Sequence, residues 1–277
     1  NWSKYHHVKN IQYSSVPQLA SAITSGIDSD REKVEAIYYW VTNNIQYDYK
    51  LYLKIKEREK KKKPPRYTGA ALAIKEDEMI LTALRNGKGV CEHYALIFRG
   101  LCRKVGIKAE VVAGYGKTDP LKTKSSGIKH AWNAVQLDYE WHLFDPTWGS
   151  GYVNKNNNFV PNFNGDYAFT TPEAFAMNHF PKDMKWQLSQ YRMDRTAYRS
   201  VPVIGPGYFR SEISDLTPKH NIIEAVQGDT ILIQFNSPEE IGEIKCRNIK
   251  SNEKVPTALS ANGKQYKLTL NTEMMRS

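Results

Sequence analysis

The spacing of the apolar residues changes at Gly106, and that change limits the possible folds more than any other feature of the chain. Before it, Val34, Ile37, Tyr38, Val41 and Ile45 recur at intervals of three and four, as do Tyr94, Ile97, Phe98, Leu101, Cys102 and Val105. Each set is the buried stripe of an amphipathic helix. Ser29-Asp30 reads as the start of the first helix, with acidic residues in its opening turn. Gly106 reads as the stop of the second. A further helical stretch runs from about Ala70 to Leu84 and is broken by Gly87 and Gly89. Beyond Gly106 the texture is that of strands, over Lys108 to Tyr115, His130 to Leu137 and Trp141 to Asp145. Helices followed by strands predict an α+β domain.

The texture changes again at the Pro/Gly run Val201-Pro202-Val203-Ile204-Gly205-Pro206-Gly207. The alternating segments after it, Thr230 to Phe235 and Tyr266 to Leu270, suggest a small all-β, immunoglobulin-like sandwich. About 75 residues is short for a full sandwich, so an incomplete module is expected. The expected division is therefore residues 1–28 as an N-terminal extension, 29–200 as the main domain and 201–277 as the β-module.

Composition removes several function classes. Aromatic residues make up 12% of the 277, too many for a disordered chain. No apolar run approaches the roughly 20 residues that a membrane-spanning helix needs. The net charge of +10 is concentrated between Lys54 and Lys63, ahead of Pro64-Pro65. With no aromatic interleaving and no nucleic-acid motif, this run is expected to be a solvated loop, and no nucleic-acid partner is expected. The three cysteines, Cys91, Cys102 and Cys246, have no regular spacing, so no disulfide framework is read from them. Cys91-Glu92-His93 is not a zinc spacing, and neither metal nor other cofactor is expected.

Cysteine attack on an acyl carbon needs a thiolate, a base for its proton and donors for the oxyanion. Cys91 stands where the Gly-rich segment Asn86-Gly87-Lys88-Gly89 enters a helix. A helix N-terminus carries partial positive charge, which favours a thiolate, and free backbone N–H groups, which suit an oxyanion. His130 opens one strand and Asp145 closes the next. If the connecting turn is the two-residue loop Asp138-Tyr139, Leu137 pairs with Glu140 and His130 lies opposite Thr147. Asp145 then becomes a diagonal neighbour of His130, about 7 Å away at Cβ. A three-residue loop without a bulge would put the two side chains on opposite faces.

Taken singly, each residue has a plainer explanation: a buried small thiol, a structural histidine, a turn-forming aspartate. In the order Cys, then His and Asp across one hairpin, they point to a nucleophile, a base and the group that orients the base. His93 competes as the base, but two residues along a helix from Cys91 it points about 200° away. Glu92, Trp132 and Trp148 are expected to line the site. Cys102 is expected in the core and Cys246 in the β-module.

Three strings carry a resemblance. Gly89-Val90-Cys91-Glu92-His93-Tyr94-Ala95 resembles the nucleophile segment of the transglutaminase-like superfamily. His130-Ala131-Trp132-Asn133-Ala134-Val135 is similar to its histidine strand, and Phe144-Asp145-Pro146-Thr147-Trp148-Gly149 to its aspartate segment. Phe169-Thr170-Thr171-Pro172-Glu173-Ala174-Phe175 and His179-Phe180-Pro181, through Lys185-Trp186-Gln187-Leu188, resemble the kyphoscoliosis peptidase branch, which includes cytokinesis-type members.

The resemblance spans about residues 30–190. It implies a papain-like fold, with helices carrying the cysteine packed on a sheet carrying His and Asp. It also implies acyl chemistry on protein or peptide substrates through a thioester, with Cys91, His130 and Asp145 as the triad. Animal transglutaminases use an upstream Trp as an oxyanion donor, and this chain has no Trp between Trp40 and Trp132. Nor has it an Asp-rich calcium loop.

Peptidase or amide hydrolase is the expected activity. Protein-glutamine transglutaminase and a non-catalytic peptide-binding module are the alternatives. The β-module is expected to bind another protein or domain. A secreted or cell-envelope setting fits that module, while unpaired cysteines fit a cytoplasmic one; the former is the expectation.

Overall fold

The structure is a computed structural model that describes residues 1–61, 69–118, 127–205, 207–210, 212–248 and 251–274. The end of the basic run, Lys62 to Pro65, lies outside them. The chain divides into two units: residues 1–116, 128–175 and 179–192 form one, and residues 117–127, 176–178 and 193–277 form the other.

The first unit is α+β. A 3-10 turn (Trp2–Val8) and helix α1 (Val16–Ile23) precede α2 (Asp30–Asn44). The Ser29 side chain accepts the Glu32 N–H and caps α2, with Asp30 and Glu32 in its first turn. The expected stripe on α2 is buried, but so are Tyr39, Trp40 and Thr42. The helix is surrounded, and residues ahead of it provide part of the surrounding layer. Tyr5, Val8, Leu19, Ala20 and Ile23 all lie in the main core, so the segment expected as an extension is part of the packed domain.

The basic run differs from its expectation as a loop. From Tyr49 to Lys61 it is a helix, α3, which follows the short strand β1 (Gln46–Tyr47). Lys, Glu and Arg are good helix formers, and Glu57 and Lys61 pair at i,i+4. Next come α4 (Gly69–Asn86), β2 (Lys88–Gly89) and α5 (Cys91–Lys104). On α5 the buried face holds Tyr94, Ile97, Phe98, Leu101 and Cys102. β1 and β2 pair in parallel, with Tyr47 beside Gly89.

A five-stranded sheet completes the unit. It is built from β3 (Ala109–Gly116), β4 (Ile128–Leu137) and β5 (Glu140–Phe144), with β8 (Ala168–Thr170) and β9 (His179–Pro181). Its order is β8-β5-β4-β3-β9, and every neighbouring pair is antiparallel. A two-stranded ribbon, β6 (Gly151–Val153) with β7 (Phe159–Pro161), and helix α6 (Pro172–Asn178) occupy the connections. Leu137 pairs with Glu140 around Asp138 and Tyr139, whose φ values are 48° and 67°. A two-residue loop with both φ positive matches the right-handed twist of a hairpin.

β4 alternates between two cores. Val135 and Leu137 join the large cluster with α2 and α5, while Trp132 and Ala134 join a smaller one with Val112, Leu143 and Phe175.

The second unit is β-rich after helix α7 (Arg195–Ser200). β10 (Ser214–Thr217), β11 (Thr230–Asn236), β14 (Thr257–Asn262) and β15 (Gln265–Asn271) form an antiparallel sheet in the order β10-β11-β15-β14. Phe235 and Tyr266 stack directly across two of its strands, at 5.4 Å. An immunoglobulin-like sandwich needs two sheets face to face. Among the described residues this unit has one four-stranded sheet and the short ribbon β12 (Cys246–Arg247) with β13 (Lys254–Val255).

Candidate active site

Cys91 is the first residue of α5, half-buried and without a disulfide. The approach to it is shaped by His93. Its Nδ1 accepts the Val90 N–H at 3.3 Å, which ties the residue before the helix to the first turn. Gly89 is required for this arrangement, since a Cβ there would lie 2.5 Å from the His93 Cβ. Burial lowers the His93 pKa, which keeps the ring neutral and able to accept. His93 is thus committed to the backbone entering the helix.

Two buried polar side chains tie α5 to its neighbours, one to the end of α2 and one to the sheet. The Tyr94 hydroxyl donates to the Ile45 carbonyl. The Asn133 amide, fully buried on β4, donates to the carbonyls of Ala95 at 2.9 Å and Glu110 at 3.1 Å. The strand that carries His130 is therefore bonded to the helix that carries Cys91.

The structure brings His130 and Asp145 together. His130 Nε2 lies 2.7 Å from Asp145 Oδ2, both side chains being buried. The Cys91 thiol lies close enough to the ring to help raise its pKa. Since Nε2 is engaged by Asp145, Nδ1 is the nitrogen left for sulfur. Burial alone would lower the His130 pKa. The charge and hydrogen bond of Asp145, aided by Cys91, outweigh it and hold the imidazole well above its ordinary value. Burial would likewise raise the Asp145 carboxyl, but His130 and its other partners hold it well below the usual carboxylate range.

Asp145 is fully satisfied. Oδ1 accepts the Thr147 and Trp148 backbone N–H groups at 2.9 and 3.0 Å. Oδ2 accepts from His130 and also from His179, whose Nε2 lies at 3.0 Å. His179 was singled out in the sequence only as part of His179-Phe180-Pro181. No local spacing links it to Asp145, because β9 reaches the site by pairing with β3 at Gly116.

The three residues expected to line the site divide. The Trp148 indole is half-buried and stacks on His130, centroids 4.9 Å apart and planes 18° apart. Trp132 is fully buried, 6.0 Å from His130, and packs beneath the site rather than lining it. Glu92 is exposed beside Cys91. Its enclosing surface, and then Glu76 and Glu59, push its carboxyl above the usual range. Tyr47, on the strand beside Gly89, is a neighbour that sequence reasoning missed. Burial raises its phenol pKa, and the nearby Cys91 raises it further.

His130, Asp145 and His179 offer ligand atoms within 4.8 Å of one another, a separation a metal ion could bridge. Both histidines are instead bonded directly to Oδ2. A cation there would have to displace both hydrogen bonds, so the donor set fits a hydrogen-bonded array.

Comparison with known proteins gives the same grouping. Residues 17–146 match the Transglutaminase-like superfamily. Kyphoscoliosis peptidase of Mus musculus is 30% identical over 230 residues, which cover 81% of this chain and 32% of that protein. The Homo sapiens protein is 29% identical over the same shares. The Caenorhabditis elegans protein "Lim and transglutaminase domain protein ltd-1" is 22% identical over 77% of this chain and 29% of its own length. The chain thus spans about a third of the length of these curated relatives. Among solved structures, the periplasmic domain of TgpA from Pseudomonas aeruginosa is 20% identical over 53% of this chain and 48% of that one, with a TM-score of 0.31. The chain carries a domain of the transglutaminase-like superfamily, and its relatives are those of the kyphoscoliosis peptidase and cytokinesis-protein branch.

Proposed function

We propose that this chain carries out cysteine-dependent acyl chemistry on protein or peptide substrates, as a peptidase or amide hydrolase. The observation that carries the reading is the buried 2.7 Å bond from His130 to Asp145, with the Cys91 thiol near enough to the same ring to help raise its pKa. Asp145 fixes the ring and stabilises its protonated form, the role of the carboxylate in such triads.

In the proposed cycle, Cys91 gives its proton to His130, and its sulfur forms a bond to the substrate carbonyl carbon. The amide C–N bond breaks, and the leaving amine takes the proton from His130. Water then gives a proton to His130 and attacks the thioester. The C–S bond breaks, the acid is released and the thiol is restored. The Cys91 and Glu92 N–H groups, ahead of the first helical bond from His93 to Val90, are the proposed donors to the oxyanion. Tyr47, on the strand beside Gly89, is the proposed side-chain donor in place of the Trp that the sequence lacks.

The test is an unfolded protein such as casein, incubated with the wild type and with Cys91→Ala, with and without a fluorescent primary amine. New amino groups, absent with Cys91→Ala, support hydrolysis. Amine incorporation without new amino groups would make the chain a transglutaminase instead. Neither product, from a chain that is folded, counts against acyl chemistry.

A further inference from the structure

We infer that His179 is a positioning residue of this site: its Nε2–H holds Asp145 Oδ2 so that the carboxylate presents a single acceptor direction to His130. The inference rests on the acyl-chemistry reading for its consequence, but its geometry stands by itself.

Oδ1 of Asp145 is occupied by two backbone N–H groups. Oδ2 has two lone-pair directions, and His179 at 3.0 Å takes one while His130 at 2.7 Å takes the other. Without His179 the second direction would be open to His130 or to water, and the His130 ring would have more than one bonded orientation.

His179 is itself held on several sides. Its ring stacks on Phe175 at 3.8 Å and 19°, lies 4.3 Å from Trp148, and meets Trp132 edge-on at 5.0 Å. Its backbone is placed by β9, where it pairs with Gly116 of β3. Only 2% of the residue is exposed. Burial lowers its pKa, so the ring is the neutral form whose one N–H goes to Asp145.

Trp148 contacts both histidines, stacking on His130 and lying 4.3 Å from His179, while the two imidazoles are 5.6 Å apart. Packing alone would not need a histidine here, because a phenylalanine fills the same aromatic stack. A donor aimed at a buried carboxylate is what the imidazole adds.

The experiment compares His179→Gln with His179→Phe in the full chain, each labelled with ¹⁵N-histidine and each checked for folding by thermal melting. Gln supplies an N–H at nearly the place of Nε2 and loses the stack; Phe keeps the stack and loses the N–H. The first readout is the downfield proton resonance of His130 Nε2–H. The second is the rate of Cys91 alkylation by iodoacetamide at neutral pH.

Positioning predicts that Gln retains the resonance and the rate, while Phe broadens or removes the resonance and slows alkylation roughly tenfold to a hundredfold. A Phe variant that matches the wild type, or Gln and Phe variants equally impaired, would overturn the inference. Failure of the underlying reading looks different: wild type and His130→Ala would then alkylate alike, while the resonance still decides the role of His179.

Discussion

The Trp148 indole lies flat against the His130 imidazole, centroids 4.9 Å apart and planes 18° apart, because residue 116 has no side chain. A Cβ at Gly116 would sit 2.8 Å from Trp148 Cζ2 and 3.3 Å from His130 Cδ2. Gly116 pairs with Ile128 and with His179, so the backbone there has little freedom to retreat.

Gly116→Ala is therefore expected to displace the indole and tilt His130. Overpacking of this kind costs about 1–3 kcal/mol. The functional loss should exceed the stability loss, since a shift near 1 Å at reacting groups costs on the order of a hundredfold. Thermal melting and Cys91 alkylation on the same sample separate the two. An alkylation rate equal to that of the wild type would show that the stack does not orient His130.

The two histidines nearest Cys91 in the sequence and in space have different partners, and their variants should differ accordingly. His93→Ala removes the acceptor for the Val90 N–H and should cost about 1 kcal/mol, the usual value of a helix cap. Its effect on Cys91 reactivity should be modest. His130→Ala removes the proposed base and should reduce turnover by about 10⁴–10⁶, as loss of a triad member does. If His93→Ala abolished turnover and His130→Ala did not, the assignment of the base would be reversed.

The buried pair also fixes a pH dependence. His130 is raised in the folded state, so its stabilisation is complete below the unfolded value near 6.5 and is lost as pH rises through the folded value. Asp145 is lowered, so its contribution is present above the unfolded value near 3.9 and is lost as pH falls through the folded one. His179 is lowered by burial and costs stability below pH ~6.5, where the unfolded chain takes up a proton that the folded one does not. The His130 charge contributes to that lowering, so the cost is smaller in His130→Ala and trims the gap between the two proteins below pH ~6.5.

Breaking a buried pair costs about 3–5 kcal/mol. The stability gap between wild type and His130→Ala should be near that size at pH 5–6 and shrink steadily towards pH 10. Urea midpoints across this range measure it. A gap that does not change with pH would contradict the paired state.

Local patterns made part of this legible from sequence. The turn at Asp138-Tyr139 follows from two polar-tipped residues between alternating strands, and it determines that His130 and Asp145 meet. Helix α5 follows from its stripe and from the glycines ahead of it.

What was not legible depends on distant parts of the chain. His179 reaches Asp145 only because β9 adds to β3, far from it in sequence. The role of His93 as an acceptor for the Val90 N–H requires the extended conformation of Val90. The contribution of residues 1–28 to the core follows from tertiary packing rather than from any periodicity. In α3, helix propensity and i,i+4 pairing prevailed over the expectation that a run of like charge stays unstructured.

The most direct test of the central claim is the rate of Cys91 alkylation by iodoacetamide between pH 6 and 7, mapped by mass spectrometry, in the wild type and in His130→Ala. If Cys91 and His130 act as a pair, Cys91 reacts faster than Cys102 and Cys246 and faster than a free thiol, and the advantage disappears in His130→Ala. If Cys91 reacts no faster than a free thiol, or if removal of His130 leaves its rate unchanged, the pair does not operate and the site is not a cysteine nucleophile of the kind proposed.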